Sequence, residues 1–181
     1  MKAKAFLLVL ALQVALLIGL VAQQEFRLAS GQTILLETAP VDPRDLLRGD
    51  YVILNYKITT LSRSLFSSDP STLPPPGTPV FVLLEKRGTF HEAVSASLTP
   101  PAPADQLLMI QGKVRRSWSD GSNPMVQVDY GLERFYVREG TGNPTGKLTV
   151  EAALPNSGQA VIKQVFIDGK PYAEVMRTLT N

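Results

Sequence analysis

The strongest constraint on the fold is a stretch near the N-terminus that carries no charge. Ala5–Ala22 (AFLLVLALQVALLIGLVA) contains one polar side chain, Gln13, and follows Lys2 and Lys4. As a helix it would be about 27 Å long, close to the ~30 Å hydrocarbon thickness of a bilayer. Because the stretch has no polar face, it predicts a membrane-embedded helix rather than a helix buried in a soluble core.

Two alternatives remain for this stretch, a cleaved signal peptide and a retained anchor. Signal-peptide cleavage requires small residues in an A-x-A-like pattern, and Leu20-Val21-Ala22 places a leucine there. The apolar run also exceeds the ~7–15 residues of a signal-peptide core. We therefore expect a retained, single-pass anchor in the inner (cytoplasmic) membrane.

The positive-inside rule gives the expected division of the chain, since Lys2 and Lys4 should stay in the cytoplasm. Residues 1–4 are then cytoplasmic and residues 5–22 span the membrane. Residues 23–32 form a helical extension or short linker, and residues 33–181 form a periplasmic or extracellular domain.

Composition excludes several classes of function. The chain has no cysteine, so disulfides, thiolate metal sites and a cysteine nucleophile are ruled out. A net charge of +2 is too balanced for a nucleic-acid-binding protein, which needs a clustered basic surface. The turn Gly140-Thr141-Gly142-Asn143-Pro144 is not a phosphate loop, because it lacks the lysine and the following helix and Pro144 removes an amide donor. We expect no cofactor, no resident metal and no nucleic-acid partner.

Fourteen prolines and thirteen glycines favour short strands over long helices. The pattern predicts a mainly β domain, a small barrel or sandwich of about eight or nine short strands. Proline-rich loops are predicted at residues 67–79 and 99–104. The predicted strands and turns after the first loop are a hairpin of 79–86 with 90–98, a strand at 107–115 with a bulge or close approach at Gly112, a turn at 118–124, a strand at 125–137, and tail strands at 148–154, 160–167 and 172–176 joined by tight hairpins.

The segment Arg48–Tyr56 (RGDYVILNY) combines a glycine turn with the start of a strand. Gly49 allows the bend and Asp50 can bond to nearby backbone amides. In the strand, Val52, Leu54, Tyr56 and Ile58 alternate and make the cleaner apolar face, so we assign them to the core. The opposite face, with Tyr51 and Ile53, is semi-apolar, which suggests a strand covered on both sides.

The spacing Gly49-Asp50-Tyr51-x-x-Leu54-x-Tyr56 resembles the signature of the GDYXXLXY family of bacterial membrane-anchored proteins. The lead-in Pro40–Asp45, the block Gly131–Gly140 and the late Val165–Gly169 resemble further shared segments of that family. The resemblance covers about residues 30–170. It implies an N-terminal helix and a β-rich domain outside the cytoplasm, and it implies no reaction.

An anchor followed by "GDYV" at the start of a strand is also similar to the β domains of type I signal peptidases. Those enzymes use a serine shortly before their Gly-Asp and a lysine on a later strand. Here no hydroxyl lies between Thr38 and Tyr51, so Lys86 would be a base without a nucleophile. The similarity therefore concerns the fold alone, and we expect no catalytic residue of that kind.

The remaining candidates are charged and aromatic side chains around the motif. Carboxylates could form a paired site, but turn capping and ion pairs, such as Arg44 or Arg48 with Glu133, explain them better. The tyrosines could line a groove or belong to the core with hydroxyls bonded to backbone. His91, the only histidine, is expected on a strand surface. The candidate functional or structural residues are Arg44, Asp45, Gly49, Asp50, Tyr51, Leu54, Tyr56, Glu133, Tyr136 and Glu139.

Two functions follow as hypotheses. The first is a non-enzymatic binding or assembly module whose partner is a multi-spanning membrane protein. The second is an envelope hydrolase that acts on peptide or glycan through Asp50 with Glu133 or Glu139. The absence of a recognisable nucleophile or cofactor motif favours the binding module.

Overall fold

The computed structural model describes residues 2–39, 51–66, 73–102, 106–120, 123–137 and 146–179. Two helices and eleven strands lie in these ranges. The helices are α1 (Lys2–Ser30) and α2 (Tyr172–Leu179), and the strands are β1 (Gln32–Glu37), β2 (Tyr51–Ile53), β3 (Thr60–Ser62), β4 (Pro79–Arg87), β5 (Phe90–Ser97), β6 (Leu108–Asp120), β7 (Asn123–Asp129), β8 (Arg134–Tyr136), β9 (Leu148–Leu154), β10 (Val161–Ile167) and β11 (Lys170–Pro171). The predicted mainly β fold after one apolar helix is confirmed.

Helix α1 is long and apolar enough to cross a membrane between Lys4 and Phe26, and none of this stretch is buried against the domain. Its large apolar side chains are exposed, Phe6 by 68% and Ile18 by 63%. The helix continues to Ser30, so most of the predicted extension or linker at residues 23–32 is helical. An apolar helix of this kind is consistent with a membrane anchor.

A five-stranded antiparallel sheet with the order β3-β7-β6-β4-β5 forms the larger part of the domain. An isolated bridge between Phe66 and Ala96 brings the chain after β3 back to β5, so the sheet is nearly closed into a barrel. Alternate side chains of these strands point inward and are fully buried, as period-two patterning requires. These include Val80, Val82, Leu84, Ile110, Val126 and Val128.

A second sheet, with the order β1-β9-β10-β11, lies beside the barrel. The two sheets meet at β5, where the backbone N–H of Leu35 donates to Nδ1 of His91 at 3.2 Å. They meet again at β6, where the N–H of Gln111 donates to the carbonyl of Gly158 in the β9–β10 turn at 2.8 Å. His91 is thus half-buried between sheets, and the expected surface position is wrong.

The motif strand is shorter than expected but its alternation is confirmed. β2 ends at Ile53 and, among the strands in the described ranges, pairs with β8 alone. The chain then continues through a bridge between Tyr56 and Thr38 into a short 3-10 helix. Val52, Leu54, Tyr56 and Ile58 are 8%, 1%, 2% and 4% exposed, so the predicted core face is buried even where regular strand pairing stops.

Local turn chemistry predicted several hairpins correctly. β4 pairs with β5, and β9 pairs with β10 across the turn that holds Gly158. β10 pairs with β11 across Asp168 and Gly169, whose φ angles of +48° and +81° suit a tight hairpin turn. The proline loop predicted at residues 67–79 is described only from residue 73, and Pro79 already belongs to β4.

Two predictions about strands and one about the extent of a turn are wrong. The predicted strand at residues 172–176 is helix α2, because Tyr172 and Met176 are four residues apart and bury one face of a helix. The predicted strand at 125–137 is two strands, β7 and β8, separated by a turn at Gly131. The predicted turn at 118–124 is narrower, since β6 extends to Asp120 and β7 begins at Asn123.

Candidate functional site

An open groove of about 850 Å³ lies where β7 leaves β6 and the chain turns into β8. Its floor belongs to β6, one wall to β2 and β8, and the opposite wall to the start of β10. The lining side chains are polar or charged with a few apolar ones. They come from Ile53, Gln111, Lys113, Arg115, Asp129, Tyr130, Glu133, Arg134, Tyr136, Gln159, Ala160 and Val161, together with Gly112 and Gly131.

Gly112 allows the floor to form. A Cβ atom at this position would lie 2.4 Å from Cγ1 of Val128 and 2.8 Å from the carbonyl oxygen of Asp129. Both distances are shorter than any normal carbon contact, so only glycine permits this approach of β6 and β7. The predicted close approach at Gly112 is confirmed.

Glu133 holds the turn between β7 and β8. Its Oε1 accepts a hydrogen bond from the backbone N–H of Tyr130 at 2.5 Å. Its backbone carbonyl accepts from the N–H of Leu54 at 2.8 Å. Glu133 therefore couples the motif strand to the groove through both backbone and side chain. The predicted ion pairs with Arg44 or Arg48 involve arginines outside the described residues.

Two buried tyrosines support the same turn from below. The hydroxyl of Tyr56 donates to the carbonyl of Leu132 at 2.6 Å, and the hydroxyl of Tyr130 donates to the carbonyl of Ile58 at 2.8 Å. Burial, and secondarily the charge of Glu133, raises the pKa of both phenols far above the ordinary value. Both tyrosines are therefore neutral donors at any physiological pH, and they belong to the core.

Ile53 and Tyr136 lie on the rim of the groove. In the described part of the domain they are the only large hydrophobic side chains that are exposed, Ile53 by 41% and Tyr136 by 71%. They lie on neighbouring strands, since Tyr136 pairs with Tyr51 and Ile53 pairs with Arg134. The rim thus presents apolar surface above a polar floor.

Arg115 and Asp129 are the charged pair in the floor of the groove, and they are held together by a long contact. Nη1 of Arg115 lies 3.9 Å from Oδ1 of Asp129, which is an ion pair without a hydrogen bond. Oδ1 of Asp129 is buried, and no described group donates a hydrogen bond to it. A buried carboxylate oxygen in this state can accept an N–H or O–H from a bound molecule.

The structure brings together four of the predicted site residues: Leu54, Tyr56, Glu133 and Tyr136. Leu54 and Tyr56 are buried beneath the groove, whereas Glu133 and Tyr136 line it. Of Tyr51 only the backbone is described, and it pairs with β8. Arg44, Asp45, Gly49, Asp50 and Glu139 lie outside the described residues.

Sequence reasoning missed the contribution of β6, β7 and β10 to the groove. Asp129 and Arg115 are 14 positions apart in the chain and become neighbours only through the β6–β7 pairing. Their alternation with buried valines marks them as outward-facing, but no local signal brings in Gln159 from the distant hairpin. Within the described ranges, no group of three or more histidine, aspartate or glutamate side chains is close enough to hold a metal ion.

Comparison with known families identifies the chain. A family model described as "GDYXXLXY protein" matches residues 13–165. The chain belongs to the GDYXXLXY family. The match begins within α1 and ends within β10, so family membership includes both the helix and the groove. No curated protein and no solved structure matches the chain.

Proposed function

We propose that this member of the GDYXXLXY family is a membrane-anchored binding module whose groove receives a segment of a multi-spanning membrane protein. The observation that carries the proposal is the exposure of Ile53 and Tyr136 beside the groove. Exposed aromatic and aliphatic side chains above a polar floor are typical of the core of a protein interface.

The proposal includes a retained, single-pass anchor in the inner membrane of a bacterium, with the N-terminus in the cytoplasm and the β domain in the periplasm or outside the cell. Lys2 and Lys4 support this orientation. Gln13 is exposed on α1 and supports contact with a neighbouring membrane helix. N-terminal sequencing of the mature protein tests retention, since a sequence beginning at Gln23 would show cleavage. A periplasm-active reporter fused after Asn181 tests the orientation.

Site-specific photo-crosslinking in intact cells tests the groove. A photoreactive phenylalanine analogue at Tyr136 should form a crosslink to a membrane protein. The same analogue at Thr89, in the exposed β4–β5 turn, is the matched control and should form none. Ile53→Ser should weaken the crosslink at position 136 without lowering the amount of protein. Equal crosslinking from both positions, or none from position 136, would contradict the proposal.

The hydrolase hypothesis stays a prediction, and amide variants separate it from binding. The Glu133 carboxylate is already engaged by the N–H of Tyr130. Asp50→Asn would remove a carboxylate with little change of shape. A turnover activity lost in Asp50→Asn while the crosslink at position 136 persists would favour the enzyme over the binding module.

A further inference from the structure

A row of basic side chains lies on the outward face of β6. The register between β6 and β7 shifts between Val114 and Arg116, so Arg115 is an extra residue in the ladder. A bulge of this kind places two consecutive residues on one side of a sheet. As a result Lys113, Arg115 and Arg116 are all exposed. We call these three residues together with Trp118 the basic strip.

Trp118 is the last residue of the basic strip, and its ring contacts Arg116. The guanidinium of Arg116 lies 4.8 Å from the centre of the Trp118 ring, a cation–π contact. Nε of Arg116 also donates to Oε1 of Gln127 at 2.8 Å. On the neighbouring strand, Asp129 is the carboxylate that pairs with the basic strip, through Arg115 at 3.9 Å. Among the described residues, the basic strip holds three cations and forms an ion pair with one carboxylate, Asp129, while Glu133 lines the groove beside Lys113 and Arg115.

The basic strip begins close to the place where α1 enters the domain. A Cβ atom on Gly31 would lie 2.8 Å from the backbone nitrogen of Leu154, so the end of α1 touches the end of β9. The turn that follows β9 reaches β6, where the carbonyl of Gly158 accepts from the N–H of Gln111 at 2.8 Å. Gln111 is two residues before Lys113. The helix exit and the start of the basic strip are thus joined by one turn.

The direction of β6 also supports a position of the basic strip near the end of α1. At the end of β1 far from α1, Nζ of Lys147 bonds to Glu37 at 2.6 Å and lies 5.5 Å from the ring centre of Phe90. β5 therefore begins at the far end of β1. Ser97 is opposite Phe81, and Phe81 is opposite Gln111.

Because β5 and β6 are both antiparallel to β4, β6 runs in the same direction as β5, away from the far end of β1. The residues from Lys113 onward continue from the level of Gln111 in that direction. The direction of β6 and the β9–β10 turn therefore place the start of the basic strip on the side of the domain where α1 enters.

The length of α1 sets the distance to the bilayer. The 23 residues Lys4–Phe26 would be about 35 Å long and fill the ~30 Å hydrocarbon layer. The four residues from position 27 to Ser30 add about 6 Å, close to the thickness of one headgroup layer. The point where α1 enters the domain, at Gly31 and Leu154, therefore lies at the level of the lipid headgroups.

We infer that the basic strip binds the anionic lipid surface of the bilayer that holds α1, with Trp118 at the membrane–water interface. Arginine and lysine side chains bind headgroup phosphates, and tryptophan is enriched at membrane interfaces. The inference rests on the anchor of the proposed function. Lys113 and Arg115 also line the floor of the groove, whereas Arg116 and Trp118 lie beyond its lining and are specific to the basic strip. Lipid binding orients the domain, since contact through β6 holds the barrel against the membrane.

Trp118 is the only tryptophan in the chain and is a built-in probe. The full-length protein is reconstituted in nanodiscs that contain phosphatidylcholine with brominated acyl chains and an equal amount of phosphatidylglycerol. Bromine quenches tryptophan only at short range, so we expect the emission of Trp118 to fall relative to discs without bromine. The control combines Trp118→Phe with Thr89→Trp, which moves the probe to the far end of the barrel, and its emission should not change.

The charge dependence tests the lipid specificity. Each arginine near an anionic surface contributes enough that its removal lowers the bound population about fivefold. Arg115→Gln and Arg116→Gln should therefore reduce the quenching, as should discs of phosphatidylcholine alone. Quenching equal to that of the control, or insensitive to both the arginines and the lipid charge, would overturn the inference. So would protection of Trp118 from a water-soluble quencher in native membranes but not in lipid discs, because a protein would then cover the strip.

These outcomes are separate from those of the proposed function. Crosslinking at Tyr136 reports the groove rim, and quenching of Trp118 reports the strip. N-terminal sequencing of the same preparation shows whether α1 is present, so loss of the anchor cannot be mistaken for failure of the basic strip to bind.

Discussion

At Gly112 the backbones of β6 and β7 approach too closely for a side chain. Gly112→Ala would place a methyl group 2.4 Å from Val128 and force the strands apart. Overpacking of this kind costs about 1–3 kcal/mol, so we expect the free energy of unfolding to fall by that amount. Urea unfolding of the detergent-solubilised protein measures it.

Gly88 is the control for Gly112, because a Cβ atom there meets nothing within 4 Å. Its φ of +62° is a conformation that asparagine tolerates. Gly88→Asn should therefore leave stability nearly unchanged. An equal loss of stability in both variants would show that the close approach of β6 and β7 is not what destabilises Gly112→Ala.

Tyr56 joins the family motif to the groove turn through one buried hydrogen bond. Tyr56→Phe keeps the ring but leaves the carbonyl of Leu132 without its donor at 2.6 Å. An unsatisfied buried carbonyl costs about 1–3 kcal/mol, and we expect a loss of stability in that range. Thermal unfolding followed by circular dichroism is a suitable measurement. Tyr136→Phe, at a side chain that is 71% exposed, should change stability by less than about 0.5 kcal/mol.

Glu37, the last residue of β1, forms ion pairs with two lysines. Two ammonium groups contact its carboxylate, Lys57 at 2.5 Å and Lys147 at 2.6 Å. These lysines hold the pKa of Glu37 below its ordinary value of 4.5. The stabilising effect is therefore complete above about pH 4.5 and disappears as the pH falls through the lower folded-state pKa.

Glu37→Gln should destabilise the protein at neutral pH by about 1 kcal/mol. The difference from wild type should shrink as the pH falls below 4.5, because protonation removes the same charge from the wild type. Chemical unfolding at a series of pH values measures both effects. Glu85→Gln is the control, since Glu85 pairs with Arg87 and its side chain is 47% exposed, against 14% for Glu37. A constant difference between wild type and Glu37→Gln down to pH 3 would contradict the assignment.

The elements that sequence predicts best are those with local signals. Asp168 and Gly169 mark a hairpin because the turn itself requires positive φ, and alternation across Val52 and Leu54 marks a buried face. α2 was missed because its eight residues contain too few turns for the helical period of Tyr172 and Met176 to stand out. The break at Gly131 was missed because apolar alternation continues on both sides of it.

The groove is formed by strands that are far apart in the sequence, so no local sequence pattern predicts it. Its walls come from β2 with β8 and from the start of β10, and they meet because Gly158 bonds to Gln111 across 47 positions of the chain. Charged residues such as Arg115 and Asp129 have the same pattern in sequence as any solvent-facing pair. Their shared location is a property of the assembled barrel, whereas the motif residues Leu54 and Tyr56 could be recognised in advance.

At the scale of the whole molecule, the contact between the two sheets includes one titratable acceptor. His91 on β5 accepts the N–H of Leu35 on β1 through Nδ1 at 3.2 Å, which only an unprotonated nitrogen can do. Burial lowers the pKa of His91 below its ordinary value of 6.5, and the nearby Lys86 charge lowers it further. The folded protein therefore binds this proton less readily than the unfolded chain does.

Stability should consequently be highest above about pH 6.5 and fall as the pH decreases from 6.5 towards the folded-state pKa. Since His91 is the only histidine, a change across pH 5–7 can be assigned to it. His91→Gln keeps an acceptor for Leu35 but does not titrate, so its unfolding free energy should be flat over the same interval. Denaturant unfolding of both proteins at each pH tests this, and a wild-type profile as flat as that of His91→Gln would show that the contact between the sheets does not depend on the protonation of His91.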